Sequence, residues 1–580
     1  MKRLFIIIAT VLLTLSGCSP EDGTYTLKII STNDVHGSWF DEDYVTGKQR
    51  ASLTAINSYV DSIRKANGPE NVILIDAGDC LQGDNASYYY NYIVPEKTHL
   101  FPRIAAYMGY DAIIVGNHDI ETGHNVYDKV RKELESEGIP FLAGNAVRTD
   151  NGKPYFQPYT ILRKNGLKVA ILGYTNTSIK TWLNESLWKG MDFKSLVPMV
   201  QEDVDKVIAK EKPHAVIVAV HSGTGDGDGS IPESQALDLY NSLEGVDLLI
   251  GSHDHRPYCI SDSSFSYVNA GNAARNFGLS TISITIENGK VTDRSTESSL
   301  VAVDPGKADP SMKENFKEDY NAVKAFTMKE VGKLKKDMRT SDSFVGMCDY
   351  MNLLHTVSLG CSPAQISIAA PLTMNQTIKA GTLIYDDMFK IYRYENQLFV
   401  VRMSGRELKG FLEYSYNLWI QTAGSPEDHI LRIVPREDTR NGTKRWSFDN
   451  ASYNFDSAAG INYTVDVTKD YGDRVNITSL ADGSEFSPDG QYNVAMTSYR
   501  ASGGGGAMTE GAGIDTSTID GRVVAKYPEI RELIYQFIVE NGTITPELLG
   551  GAQLGHWNFV PEDVCGPGLE RDWNLIFGNN

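Results

Sequence analysis

The sequence predicts an α/β protein, because short apolar runs alternate with amphipathic stretches through its N-terminal half. Five of these runs are rich in Val, Ile or Leu and too short for typical helices, which indicates strands that are buried on both faces. They cover residues 27–31, 72–75, 112–115, 215–220 and 246–250. We therefore predict buried strands connected by helices over this half of the chain.

Polar side chains follow all five predicted strands, at the point where each strand ends. Ligand sites in α/β proteins lie beyond the carboxyl ends of strands, so we expect these side chains to lie close together. The five segments are Asn33-Asp34-Val35-His36, Asp76-Ala77-Gly78-Asp79, Gly116-Asn117-His118-Asp119, His221-Ser222-Gly223 and Gly251-Ser252-His253-Asp254-His255.

The residue types in these segments suit a metal site. Asp oxygens and His nitrogens bind Zn, Mn or Fe, and the absence of cysteine from the segments argues against a closed structural zinc site. Asp79 stands where a carboxylate can bridge two ions, and Asn117 offers a neutral carbonyl oxygen. Two ions about 3.5–4 Å apart hold a phosphoryl group and activate water at neutral pH.

In their order along the chain, these DxH, GD, GNHD, H and GHxH-like motifs resemble those of the calcineurin-like metallophosphoesterases, over roughly residues 24–300. The last motif reads Gly-Ser-His-Asp-His here, a variant that keeps both histidines. The resemblance implies a four-layer β-sandwich flanked by helices and two divalent metal ions, Zn, Mn or similar. One ion would be held by Asp34, His36, Asp79 and His255, and the other by Asp79, Asn117, His221 and His253.

The same resemblance implies that His118 faces the substrate, where it stabilises charge in the transition state or protonates the leaving alkoxide. Its acidic partner usually lies three residues later, and that residue is Glu121 here, where the nucleotidase-type motif often has aspartate. Asp119 is the alternative partner. We assign His124 to the surface or to a supporting contact.

The chain changes character after residue 303. Asp304-Pro305-Gly306 interrupts the preceding pattern, and a charged stretch with helical patterning follows, including residues 333–336. We predict a metallophosphoesterase domain over 24–303, a linker helix over 304–340 and an α+β domain over 341–580. The resemblance implies rotation between the two domains, with the linker as hinge.

The second domain resembles the 5′-nucleotidase C-terminal domain over roughly residues 340–540, in segments such as Ala380-Gly381-Thr382-Leu383-Ile384 and Thr497-Ser498-Tyr499-Arg500-Ala501-Ser502. In that family two aromatic rings sandwich the nucleobase, and the matching positions are Tyr453 and Tyr499. The implied ligand is a small-molecule nucleotide.

Two departures from that family distinguish this sequence. Residues 369–372 (Ala-Ala-Pro-Leu) lack the phosphate-binding arginine, and Gly505 replaces the aspartate that holds the ribose hydroxyls. Because an aspartate would repel a 2′- or 3′-phosphate, the glycine suits a ribose that is phosphorylated at this edge. The segments look closest to the 2′,3′-cyclic-nucleotide 2′-phosphodiesterase/3′-nucleotidase branch.

Three alternatives stay open. A 5′-nucleotidase or UDP-sugar hydrolase would share the fold and the metal chemistry. A sulfur-ester hydrolase would show weak phosphoesterase activity and no aromatic base site. A non-enzymatic surface binding protein would have lost metal ligands, yet every expected ligand is present.

The N-terminus is typical of an exported lipoprotein. Lys2 and Arg3 precede an apolar run over 4–15, and Leu15-Ser16-Gly17-Cys18 resembles a bacterial lipobox. The resemblance implies a signal peptide over 1–18, lipidation of Cys18, and transport across the inner membrane to the periplasm or the cell surface. The alternative is an ordinary signal peptide with an incidental cysteine.

The composition limits the partners. The net charge of −20 argues against binding to duplex nucleic acid, which requires basic surface, but a metal site can still attract small anions. The five cysteines after Cys18 show no CxxC pattern, so we do not expect a disulfide framework. We expect membrane contact through the lipid anchor only, and the sequence indicates no oligomeric state.

Overall fold

The computed structural model describes residues 20–394, 396–437 and 444–578. The predicted signal peptide and Cys18 lie outside these residues. In the first half, two six-stranded sheets pack face to face, and helices cover their outer faces. The predicted α/β sandwich of four layers is therefore confirmed.

Each sheet of the sandwich contains four neighbouring parallel strands. In spatial order, the strands of the first sheet are Lys290–Ala302, Asn276–Glu287, Gly23–Thr32, Val72–Asp76, Ala112–Ile114 and Phe141–Leu142. Those of the second sheet are Tyr258–Ile260, Ser266–Asn269, Leu248–Ile250, Ala215–Val220, Leu167–Tyr174 and Tyr159–Lys164.

The predicted strands all form, and their apolar composition has a clear cause. Val72–Asp76 and Ala215–Val220 are buried at every position, because one face meets the opposite sheet and the other face meets helices. Ile75 and Ile217 lie in the core between the sheets. Since the strands are parallel, their carboxyl ends meet at one edge, where the polar segments follow.

Helices of the first half cover the two outer faces of the sandwich. The longer ones are amphipathic, and their buried residues join the two outer cores. The helices of the first half are Leu53–Asn67, Asn85–Tyr88, Leu100–Met108, Asn117–Glu121, His124–Ser136, Ile179–Trp182, Glu185–Trp188, Leu196–Glu211 and Ala236–Ser242. A small two-stranded sheet pairs Ala146–Arg148 with Met191–Phe193.

The linker region is only partly helical. Helices Pro310–Asn315 and Lys317–Thr327 pack on the first half through buried Phe316 and Val323. The helical prediction for residues 333–336 is wrong, because Glu330–Leu334 is a strand that pairs with two strands of the second half. Burial of its apolar side chains in this sheet outweighs the helix-favouring lysines.

The second half is α+β, as predicted. A five-stranded sheet contains, in spatial order, Ser457–Ala459, Ile366–Ala369, Gln491–Thr497, Gln397–Ser404 and Val523–Glu529. Two three-stranded sheets contain Gly381–Ile384, Glu330–Leu334 and Thr543–Ile544, and Val475–Leu480, Ile461–Asp466 and Trp557–Val560. Two further sheets pair Met338–Arg339 with Thr377–Ile378, and Ile433–Glu437 with Lys444–Phe448. Its helices are Asp349–Gly360, Tyr385–Ile391, Gly405–Trp419, Ser498–Ala501, Ile530–Asn541, Pro546–Leu549 and Glu562–Phe577.

The helix Gly405–Trp419 begins with a capping box formed by Ser404 and Glu407. The Ser404 hydroxyl accepts a hydrogen bond from the Glu407 N–H, and the Glu407 carboxylate accepts one from the Ser404 N–H. Within the described part of the chain, we find no helix with the length and apolarity needed to cross a bilayer.

Candidate metal centre and adjoining cleft

The side chains predicted as metal ligands meet at the carboxyl edge of the two sheets. The first ligand group consists of Asp34, His36 and His255, and the second ligand group of Asp79, His221 and His253. Within each group, the donor atoms lie within 4.8 Å of one another.

Asn117 lies beside the second group, and a hydrogen bond from the backbone connects the two groups. The Asn117 side-chain oxygen lies 2.9 Å from Nδ1 of His253. The Asp34 carboxylate, from the first group, accepts a hydrogen bond of 2.9 Å from the His253 N–H, from the second group. The structure thus brings together all seven residues that the sequence nominates as ligands.

The turns that carry these ligands have an unusual backbone. Asp34, His36, Asp79, His253 and His255 all have positive φ angles, between 48° and 74°. Only a few per cent of non-glycine residues adopt this conformation, which costs roughly 1–3 kcal/mol per residue. Contacts between the turns maintain it, since the N–H groups of Asp34 and His36 donate to the carbonyls of residues 78 and 79.

Buried polar atoms at the centre of the site fit a bound cation. Asp34 Oδ1, Asp79 Oδ2 and His221 Nε2 are buried, and within the described chain none of them has a hydrogen-bond partner. His221 Nδ1 lies 2.8 Å from the carbonyl oxygen of Ala77, so Nδ1 carries the proton that donates to it. Nε2 faces Asp79 Oδ2 at 3.1 Å, and in the neutral ring its lone pair would be available to a metal ion bound by both residues.

The charges of the site also favour a bound cation. Burial alone would lower the pKa of His221, but the negative charges of Asp79 and Asp34 raise it to about 10. Burial likewise opposes ionisation of Asp79, yet His221 and His118 hold the pKa of that carboxyl well below its usual range. The buried carboxylates therefore favour positive charge, which divalent ions would supply.

A buried carboxylate that is not a predicted ligand holds the Asp79 turn in place. One oxygen of Asp119 accepts hydrogen bonds from the N–H groups of Asp79 and Gly116, and the other accepts from Cys80 and Leu81, all at 2.8–3.0 Å. Asp119 is fully buried. Its role is therefore to position the Asp79 turn, and it is not available as a partner for His118.

The structure places Glu121 against His118, as the sequence analysis favours. The Glu121 carboxylate lies 2.6 Å from His118 Nδ1 and also accepts a hydrogen bond from the Gln82 side chain. Burial alone would lower the pKa of His118, but Asp79 and Glu121 raise it to about 9. His118 thus presents its other ring nitrogen, Nε2, for contact with a ligand.

His124 lies away from this arrangement. Its ring contacts the Asp128 carboxylate at 3.0 Å and the Lys189 carbonyl at 3.0 Å. The sequence predicts a surface position or a supporting contact for this histidine, and these contacts agree with that prediction.

A cleft of about 250 Å³ adjoins the metal-ligand groups and is lined by both halves of the chain. From the first half the lining residues are Asn117, His118, Glu121, Trp182, Leu183, Glu233 and His253. From the second half they are Ala370, Leu372, Tyr394, Asn396, Tyr453, Asp456, Thr497, Tyr499 and Arg500.

The predicted aromatic pair, Tyr453 and Tyr499, lines this cleft. Tyr453 is 43% exposed, and Tyr499 is partly buried. The Tyr499 ring lies directly on the backbone of Gly504, where a Cβ atom would be 2.3 Å from the ring. Gly504 therefore makes room for an aromatic ring at the cleft wall.

The structure gives Gly505 a different role from the predicted contact with substrate. Gly505 does not line the cleft, and its φ angle is +74°. A Cβ atom there would lie 2.3 Å from the Asn454 side-chain oxygen and 2.5 Å from Arg500 Nη1. The glycine is needed because side chains already fill this space, and an aspartate at this position would not fit.

Several cleft residues were not identified from the sequence. The Trp182 ring stacks on His253 with centroids 5.2 Å apart, and Glu233 enters from the loop after His221. Arg500 and Asp456 lie beside the aromatic pair and form a buried ion pair of 2.8 Å. The last two adjoin motif residues in sequence, which was an available signal, whereas no motif indicated Trp182 or Glu233.

Comparisons with known proteins agree with this geometry. The family model "Calcineurin-like phosphoesterase" matches residues 27–257, and "5′-nucleotidase, C-terminal domain" matches residues 330–511. A trifunctional nucleotide phosphoesterase of Bacillus subtilis is 24% identical over 95% of this chain, which spans only 40% of that protein.

Relatives that carry two different names match to a similar degree. A 5′-nucleotidase of Vibrio parahaemolyticus is 23% identical over 90% of this chain and 93% of its own. A 2′,3′-cyclic-nucleotide 2′-phosphodiesterase/3′-nucleotidase of Haemophilus influenzae is 24% identical over 97% and 92%.

A solved structure of a 5′-nucleotidase candidate from Staphylococcus aureus shares the fold, with a TM-score of 0.74, 20% identity, and coverage of 92% of this chain and 99% of its own. Calcineurin-like phosphoesterases use a divalent metal centre, which agrees with the two ligand groups. The chain belongs to the calcineurin-like phosphoesterases that carry a 5′-nucleotidase C-terminal domain, and it is a phosphoester hydrolase.

Proposed function

We propose that this protein hydrolyses 2′,3′-cyclic nucleotides to 3′-nucleotides, and 3′-nucleotides to nucleosides, at a site for two divalent metal ions. One observation supports this most directly: Asn117 and His253, two of the predicted metal ligands, line the same cleft as the aromatic pair. This cleft can hold a phosphate ester at one end and a base at the other.

In this proposal, two sets of four residues would hold the two ions, and Asp79 would belong to both sets. Asp34, His36, Asp79 and His255 would hold one ion, and Asp79, Asn117, His221 and His253 the other. The unpartnered oxygens and nitrogen described above support this assignment. When bound, the ions stabilise charge on the phosphoryl group and activate the attacking water. The donor set suits Zn, Mn or a similar ion.

The residues of the chain then have separate tasks. His118 stabilises the developing charge or protonates the leaving ribose oxygen, and Glu121 orients its ring through Nδ1. Tyr453 and Tyr499 hold the base between their rings, and stacking of this kind contributes about 1–3 kcal/mol per base.

The charges in the cleft favour a substrate with one phosphoryl group. Among the described residues that line it, the basic side chains are His118, His253 and Arg500, and Arg500 is paired with Asp456. Ala370 and Leu372 form an apolar wall in the segment that lacks the family's arginine. A nucleotide sugar or polyphosphate would bring a second phosphoryl group for which the cleft offers no free cation.

The second candidate function is a 5′-nucleotidase, because a relative with that name matches almost as closely. The absence of the family's phosphate-binding arginine from residues 369–372 supports the cyclic and 3′ substrates instead, since Ala370 and Leu372 line the cleft there.

The metal assignment predicts the effect of His221→Ala. This change removes a buried ligand nitrogen, so we expect the protein to lose metal. Turnover should fall by more than about 1,000-fold, because the metal stabilises charge in the transition state and activates the water. Metal content by mass spectrometry and phosphate release would be measured together. His556→Ala, at an exposed histidine, is the control. Near-normal activity of His221→Ala would exclude the metal assignment.

The role of Asp119 predicts a positional effect on metal binding. Asp119→Asn removes acceptors from backbone N–H groups around Asp79, so we expect metal affinity to fall by about 10- to 100-fold, as for other groups that orient ligands. Titration of the metal-free protein with Mn would measure this. Asp128→Asn, on the outer contact with His124, should leave the affinity unchanged. Equal affinities in both variants would contradict the role of Asp119.

The substrate assignment is tested with the soluble form that lacks residues 1–18, in the presence of Mn or Zn. We expect faster hydrolysis of 2′,3′-cyclic AMP and 3′-AMP than of 5′-AMP or UDP-glucose. Tyr499→Ala should raise KM for the preferred nucleotides by about 5- to 150-fold, which corresponds to the loss of one stacking contact.

Two controls separate the parts of this proposal. Tyr471→Ala, at a tyrosine that is 50% exposed and outside the cleft, should leave KM unchanged. Glycerol 2-phosphate has a phosphate ester but no base, so its hydrolysis should not depend on Tyr499. A preference for 5′-AMP would refute the cyclic assignment but leave the metal site intact, whereas no activity on any phosphate ester would favour the sulfur-ester alternative.

The membrane attachment is also a proposal. We infer that residues 1–18 direct export from a bacterial cell and that a lipidated Cys18 anchors the enzyme outside the inner membrane. Several acyl chains would anchor it stably. We expect Cys18→Ala to shift phosphoesterase activity from the membrane fraction to the soluble fraction, measured after cell fractionation; activity that stays with the membrane would contradict lipidation at Cys18.

A further inference from the structure

Arg500 is a buried arginine within the cleft wall. It is 3% exposed, and its guanidinium contacts both sides of the aromatic pair. Nη2 donates to the backbone carbonyl of Tyr453, and Nη1 donates to the Asn454 side chain at 3.0 Å and to the Gly504 carbonyl at 2.9 Å. The guanidinium also lies 5.2 Å from the centroid of the Tyr499 ring.

Asp456 completes this group of contacts. Its carboxylate accepts the hydrogen bond from Arg500 Nε at 2.8 Å, and it is 2% exposed. The Asp456 N–H donates to the Ser415 hydroxyl, which in turn donates to the Asp456 carbonyl. Ser415 belongs to the helix Gly405–Trp419, so one end of the segment 453–456 is attached to that helix.

Arg500 donates a hydrogen bond to the backbone carbonyl of Tyr453, whereas Ser415 donates to that of Asp456. Tyr453 lies in a short 3₁₀ turn and is exposed, whereas its neighbour Phe455 is buried in the core. Arg500, next to Tyr499 in sequence, therefore connects the segments that carry the two rings. A planar guanidinium with fixed donor directions sets such a distance better than a single ammonium group.

We propose that Arg500 is a positioning residue that sets the separation of the Tyr453 and Tyr499 rings, so that a planar base fits between them. This inference rests on the proposed function, because it assumes that the aromatic pair holds a base. The specificity of the cleft for a planar group is then maintained by the buried ion pair of Arg500 and Asp456, which does not contact the reacting phosphorus.

The main alternative is that Arg500 binds phosphate itself. A guanidinium has five N–H donors, and four of its hydrogen bonds here already go to protein acceptors. The two parallel donors needed for a bidentate phosphate contact are therefore not free. Binding of a base and binding of phosphate consequently need separate measurements.

The test uses adenosine, which has a base and no phosphate, and inorganic phosphate, which has no base. Arg500→Lys keeps the positive charge beside Asp456 but loses the planar set of donors. We expect the Kd of adenosine, measured by calorimetry on the metal-loaded enzyme, to rise about 10-fold. The inhibition constant of phosphate and kcat/KM for glycerol 2-phosphate should change by less than about twofold.

Arg474→Lys is the matched control. Arg474 is also 3% exposed, lies in the same half, and donates to the Lys469 carbonyl and the Thr422 hydroxyl, away from the cleft. It should lower thermal stability about as much as Arg500→Lys without weakening adenosine binding. Asn454→Ala removes one acceptor of Arg500 without leaving a buried charge unpaired, and it should weaken adenosine binding in the same direction.

The outcomes separate the possibilities. If Arg500→Lys and Arg474→Lys bind adenosine equally well, Arg500 does not position the rings. If phosphate inhibition weakens while adenosine binding is unchanged, Arg500 binds phosphate. If Tyr499→Ala weakens adenosine binding but Arg500→Lys and Asn454→Ala do not, this inference alone fails. If the unaltered enzyme does not bind adenosine, the base-binding part of the proposed function fails, and this inference fails with it.

Discussion

The arrangement of the metal-ligand groups depends on the buried carboxylate of Asp119, which accepts hydrogen bonds from four backbone N–H groups. These groups belong to the loops after two neighbouring strands, Val72–Asp76 and Ala112–Ile114. Asp79 returns a contact by accepting a hydrogen bond of 2.8 Å from the His118 N–H. The two loops are thus held by reciprocal carboxylate–backbone contacts, and this fixes the separation of Asp79, Asn117 and His118.

This support offsets the cost of the ligand turns. Five of the predicted ligands have a left-handed backbone, and several buried polar atoms around them have no partner in the described chain. Each feature costs free energy in isolation. They persist because hydrogen bonds from neighbouring turns maintain the backbone, and because a bound cation would satisfy the unpartnered atoms. The site is thereby organised for positive charge before any ligand is present.

The second half supplies what the metal centre lacks, a surface for a planar group. Tyr453 and Tyr499 face the same cleft as His118, and Arg500 with Asp456 connects the segments that carry the two rings. Chemistry and recognition therefore come from separate halves of the chain that meet at one cleft. In the linker region, Phe316 and Val323 pack on the first half of the chain, and Glu330–Leu334 joins a sheet of the second half. The linker region is therefore part of both halves.

The sequence by itself determined the α/β class, the five buried strands and the residues after them, because strand burial and carboxyl-end ligands leave local patterns at Asp34, Asp79 and His221. It also indicated Glu121 and the aromatic pair through resemblance. Only the tertiary structure decided the roles of Asp119, Gly505 and Arg500 and the strand Glu330–Leu334. These depend on contacts between segments distant in sequence, such as Arg500 with Tyr453, and no local pattern encodes the distances or the filled space that such contacts create.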